Sequence, residues 1–64
     1  MGEKCVVISQ AQTMRLRGNV DDNGDLWLWQ EDLVDGSWVN IPHVFRLDKE
    51  STRRLHGLTA QALG

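Results

Sequence analysis

The sequence predicts an α+β fold: one domain over residues 1–64, an antiparallel β-sheet of about four strands followed by one C-terminal helix packed on one face. Three observations carry this. Apolar and polar residues alternate strictly along 14–20, and Leu26–Glu31 is rich in the residue types that favour strands. Asn23-Gly24 and Asp35-Gly36 punctuate the apolar runs, and both pairs accept the positive φ that tight hairpins need. Beyond Asp48 the period changes, with Leu55, Leu58 and Ala62 at i, i+3 and i+7 on one helical face.

Taken in order, Val6 and Ile8 alternate with Val7 and Ser9, which predicts a strand over about 4–10. Ala11-Gln12-Thr13 fits a bend or a continuation equally well. Met14–Val20 is a half-buried strand, and Asp21–Asp25 is a turn. The strand at 26–31 follows, then the Asp35-Gly36 turn, then a strand over Ser37–Ile41. Pro42 lacks an N–H and is expected to stop it, leaving His43–Leu47 as a further short strand. Asp48 is the expected helix N-cap, and Glu50 stands in the first turn where the helix dipole favours an acid. Gly57 lies inside the helix and costs about 1 kcal/mol relative to Ala.

Register decides which residues share a face. A three-residue loop, Asp22-Asn23-Gly24, with Gly24 left-handed sets Val20 opposite Leu26, Gly18 opposite Leu28 and Leu16 opposite Gln30. It also sets Asn19 opposite Trp27, Arg17 opposite Trp29 and Arg15 opposite Glu31. One face then gathers Met14, Leu16, Val20, Leu26 and Leu28, with Val39 and Ile41, as a core under Leu55, Leu58 and Ala62. The other gathers Arg15, Arg17, Trp27 and Trp29, and the Asp35-Gly36 turn adds Trp38 by placing it opposite Leu33.

Composition narrows the function classes. With 41% hydrophobic and 25% charged residues the chain is not expected to be disordered. At 64 residues its own core leaves almost no stability margin, so a partner chain is expected, and a homodimer first. The lone Cys5 cannot form an intramolecular disulfide; it is expected to be a buried thiol in a reducing compartment, and the chain to be cytoplasmic. The apolar run Cys5–Ile8 is far too short for a signal peptide or a membrane span, and Val6 stands where N-myristoylation wants Ser or Thr.

The net charge of −2 hides an uneven distribution. Residues 1–20 and 36–64 each carry +2, whereas 21–35 hold Asp21, Asp22, Asp25, Glu31, Asp32 and Asp35 with no base.

Catalytic and metal motifs are weak. Asn19–Gly24 resembles the start of a calcium loop but has Asn first and Gln30 twelfth, and a hairpin turn is the better reading. His43 and His56 have no metal-ligand spacing, no serine has a neighbouring base, and Glu31 and Asp32 point to opposite faces of a strand. No enzyme activity, metal or cofactor is expected. The tryptophan face is the candidate site: aromatic rings stack bases while arginines hold phosphates. Arg15, Arg17, Trp27, Trp29 and Trp38 would then bind single-stranded DNA or RNA, with Lys49, Arg53 and Arg54 as an auxiliary basic track and a role in nucleic-acid-linked regulation. The same face would equally serve a second copy or pair its rings with arginine stems. A competing function uses the acidic hairpin 21–35, docking on a basic protein as an interaction modulator or mimicking DNA charge.

Gly24–Glu31 as a central strand, and Val44–Glu50 with Leu55 and Leu58 as a last strand and helix, resemble the positive-cofactor-four-like transcriptional coactivators over residues 13–63. Pur-type repeats, which also bind single strands, are similar in layout. The resemblance implies a homodimer whose curved sheets offer Arg15, Arg17, Trp27 and Trp29 to bases and phosphates.

Overall fold

The structure, a computed structural model, describes residues 5–64; Lys4, the expected start of the first strand, lies outside them. Four strands, β1 (Val6–Gln10), β2 (Met14–Val20), β3 (Leu26–Val34) and β4 (Ser37–Leu47), form one antiparallel sheet in the order β1-β2-β3-β4, and helix α1 (Lys49–Leu63) follows. Every connection joins neighbours, so short turns set the whole topology. The α+β layout is the expected one.

The turns obey their residues. Ala11 donates its N–H to the Met14 carbonyl at 2.8 Å, making 11–13 a bend. Gly24 has φ +84°, and Asp21 N–H reaches the Asp25 carbonyl at 3.0 Å, which leaves Asp22-Asn23-Gly24 as a three-residue loop. The β2–β3 register is consequently the expected one at all six pairs. Asp35 and Gly36 take φ +50° and +81°, the two positive values of a primed turn. Leu33 faces Trp38 and Glu31 faces Asn40, again as expected.

Pro42 does not end a strand. β4 runs through it, because β4 is an edge and the pairing shifts there: Glu31 faces Asn40 while Trp29 faces Val44. Three residues, 41–43, oppose Gln30 alone, so the missing N–H falls in an irregularity where the ladder asks for no donor. A second bulge in β1 places Ile8 between Val7, opposite Arg17, and Ser9, opposite Leu16.

The expected core is not buried. Asp48 caps α1 as anticipated, its Oδ1 accepting from Ser51 N–H at 2.8 Å. Yet no residue of α1 is buried, Leu58 is 62% exposed, and the helix meets the sheet chiefly at β4. The connector explains this. One residue, Asp48, joins β4 to α1, fewer than the two to six that usually let a helix turn back over its sheet. Met14, Leu16, Val20 and Val39 are therefore open to solvent rather than under Leu55, Leu58 and Ala62. Cys5, expected to be buried, is exposed, lying just before β1, outside the sheet pairing. Among the described residues no helix is long and apolar enough to cross a membrane.

Candidate functional site

The β2–β3 register brings Arg15, Arg17, Trp27 and Trp29 onto one face, and the turn at 35–36 adds Trp38. The side chains form an interlocked layer rather than a row of free groups. Arg15 lies over the Trp38 ring at 4.2 Å, Arg17 over Trp29 at 5.9 Å, and Arg46 over Trp27 at 5.6 Å. The Arg17–Trp29 and Arg46–Trp27 stacks join adjacent strands, as cross-strand neighbours on one face are spaced to do, whereas Arg15 of β2 reaches across β3 to Trp38 of β4.

Glu31 sits at the centre of this layer. It is 6% exposed, the only buried side chain among the described residues. Its Oε1 accepts from Arg15 Nε at 2.5 Å, its Oε2 accepts from Trp29 Nε1 at 3.1 Å, and Arg17 Nη1 stands 3.6 Å from Oε2. Burial pushes its carboxyl up; the Trp29 hydrogen bond and the two guanidiniums outweigh this and hold it below its ordinary 4.5. Arg17 Nε is buried without an acceptor, so the layer keeps one unsatisfied donor.

Asp21 organises the other end. Trp27 Nε1 donates to its Oδ2 at 2.8 Å, and Asn23 and Asp25 N–H donate to its Oδ1 at 2.9 and 3.0 Å. The Trp27 bond, then the Asp25 bond, hold this carboxyl below its ordinary 3.8. Arg46 binds Asp25 Oδ2 through Nη2 at 2.5 Å and Nε at 2.9 Å, a contact that raises the pKa of its guanidinium. Asn19, Asp21, Trp27 and Trp29 line a shallow recess of about 270 Å³ on this face.

The acidic block is thus divided. Asp21, Asp25 and Glu31 serve the turn and the arginines, while Asp32 falls on the opposite face and accepts from Gln30 Nε2 at 3.0 Å. Asp22 and Asp35 lie exposed at the two hairpin turns. Of the auxiliary basic residues, Arg53 and Arg54 pair with Glu50 on the helix at 3.3 and 3.7 Å, and Lys49 rests against Gly24.

Sequence reasoning missed Arg46 and the central place of Glu31. Arg46 was hidden because the strand was expected to stop at Pro42; continuing the alternation Val44, Arg46 through the proline would have placed it on the tryptophan face, and the shift at 41–43 then moves it from opposite Asp25 to opposite Trp27. Glu31 was grouped with its acidic neighbours, although its position opposite Arg15 was readable from the register. Among the described residues no cluster of His, Cys, Asp or Glu is arranged to hold a metal ion. Comparison with protein-family models, with curated proteins and with solved structures finds no match to this chain.

Proposed function

We propose that the chain is a small non-enzymatic, nucleic-acid-linked binding module that takes up unstacked bases of a single strand on its tryptophan face. The observation that supports this reading is the recess between Trp27 and Trp29, floored by the polar side chains of Asn19 and Asp21. Residues two apart on a strand are about 6.7 Å apart, close to two base-stacking steps of about 3.4 Å, so one planar base fits between rings so spaced. Every base has a π-face, so such a platform binds without strong sequence preference.

The charges of the layer define how it would bind. Arg15, Arg17 and Arg46 face Glu31, Asp21 and Asp25, so the face as a whole is close to neutral. Phosphates would find few unpaired cations there, and stacking would dominate. The affinity should therefore depend only weakly on salt, with a slope of log K against log [salt] of about −0.7, the value for one neutralised phosphate of a single strand.

The test is a titration of an oligothymidylate of about ten nucleotides against tryptophan emission at low salt. Quenching is expected, and Trp29→Ala should weaken binding by roughly 5- to 150-fold, the equivalent of about 1–3 kcal/mol for a lost stacking partner. An absence of binding at low salt, or a Trp29→Ala variant that binds as well as the parent chain, would overturn the reading.

A further inference from the structure

The face of the sheet opposite the tryptophans is apolar and uncovered. Leu16, Gly18 and Val20 of β2 pair with Gln30, Leu28 and Leu26 of β3, and Leu28 and Leu26 pair with Phe45 and Leu47 of β4. Val6 of β1 pairs with Gly18, and Ile8 reaches the same face, since its Cδ1 lies 3.2 Å from where a Gly18 Cβ would stand. Val6, Ile8, Val20 and Phe45 are each more than half exposed. Its one charged side chain near the centre line, Asp32, lies at the far end and is tied to Gln30.

A sheet this apolar is one half of a core. No apolar side chain is buried among the described residues, so a lone copy lacks the burial that offsets the ordering of its chain. The chain exposes 5246 Å². A compact monomer of its mass exposes roughly 4200 Å². The surplus, about 1000 Å², is shared between this face and the uncovered helix and is large enough to include the roughly 800 Å² that each partner contributes to a standard stable interface.

We infer that a second copy of this chain covers the apolar face, the two sheets stacking face to face as a sandwich. The face suits itself as a partner. It is nearly free of charge, so two copies meet without like-charge repulsion, and a two-fold axis sets the same patch against itself. Gly18 keeps its middle flat, and apolar side chains of both sheets then fill a layer about 10 Å thick. The tryptophan layers point outward on both sides. This inference rests on the opposite surface from the proposed binding site, so either stands if the other fails.

Adjacent residues of β4 supply the test, because Val44 pairs with Trp29 on the tryptophan side and Phe45 with Leu28 on the apolar side. Mass in solution is measured for the full chain across about 1 µM to 100 µM, together with the thermal midpoint, which rises with concentration only for a chain whose folding is coupled to association. The expected parent species has twice 7.3 kDa, and its midpoint rises with concentration. Phe45→Lys should weaken association at least ~100-fold, whereas Val44→Lys leaves it within about threefold. Should Phe45→Lys fail to fold, Val20→Lys repeats the test on β2, and the midpoint of the parent chain answers without any variant. A parent chain that stays a monomer with a concentration-independent midpoint, a larger assembly, or a dimer broken by Val44→Lys and kept by Phe45→Lys would overturn the inference.

Discussion

Glu31→Gln removes the charge from the one side chain buried among the described residues and nearly preserves its shape. Gln keeps one oxygen for Trp29 Nε1, now at 3.1 Å, but the guanidiniums of Arg15 and Arg17 lose their counter-charge. Removing one partner of a buried ion pair costs about 3–5 kcal/mol, because the other charge is left uncompensated. Here Arg15 and Arg17 keep 17% and 24% of their side-chain surface in contact with solvent, so water recovers part of that cost. The expected loss is about 2–3 kcal/mol. In a chain of this length that lowers the Tm by roughly 10–20 °C. Glu50→Gln is the control: its contacts with Arg53 and Arg54 lie at the helix surface, where an ion pair contributes ~0–0.5 kcal/mol. Urea unfolding followed by tryptophan emission, at one protein concentration throughout, reads both variants. A Glu31→Gln loss no greater than that of Glu50→Gln would refute the idea that the Trp/Arg layer is locked by this carboxylate.

Three further outcomes follow from the same geometry. Gly18→Ala should destabilise by about 1–3 kcal/mol in thermal melts, since the added Cβ would lie 3.0 Å from the Trp27 carbonyl oxygen and 3.0 Å from Leu28 Cδ2. Asp48→Ala should lower the thermal midpoint by a few degrees and reduce the helical dichroism signal, because it removes the acceptor for Ser51 N–H. Glu31, Asp21 and Asp48 all have lowered folded-state pKa values, so the unfolded chain binds protons first as the medium is acidified. Their stabilisation is present in full above the ordinary values of 4.5 and 3.8 and is lost as pH falls through the lower folded values. A urea midpoint that stays level from neutral pH to about pH 5 and then drops, with a shallower drop in Glu31→Gln, is the expected profile.

The parts of the fold legible in the sequence are those set by local chemistry. Asn23-Gly24 and Asp35-Gly36 dictate their turns, and once the loop length is known the two-residue period of β2 and β3 allows one register. The gathering of Arg15, Arg17, Trp27, Trp29 and Trp38 on one face follows from that register and needs no tertiary information. Pro42 misled because its effect depends on whether its strand is an edge, and strand order is not a local property. Arg46 was lost with it. Asp25 read as a surface acid because its partner Arg46 lies beyond the shifted pairing at Pro42; Glu31 opposite Arg15 was legible from the register, but not that Arg17 and Trp29 also close on it.

By itself, then, the sequence determined the elements, their turns and the two-faced pattern of the sheet, since backbone preference and side-chain alternation act over a few residues. Only the tertiary structure decided what each face meets. It turned the charged face into a layer of ion pairs and stacked rings closed on itself, because cross-strand distances let Glu31, Asp21 and Asp25 reach the arginines and indoles. It left the apolar face open, because a single residue between β4 and α1 keeps the helix from folding back over it.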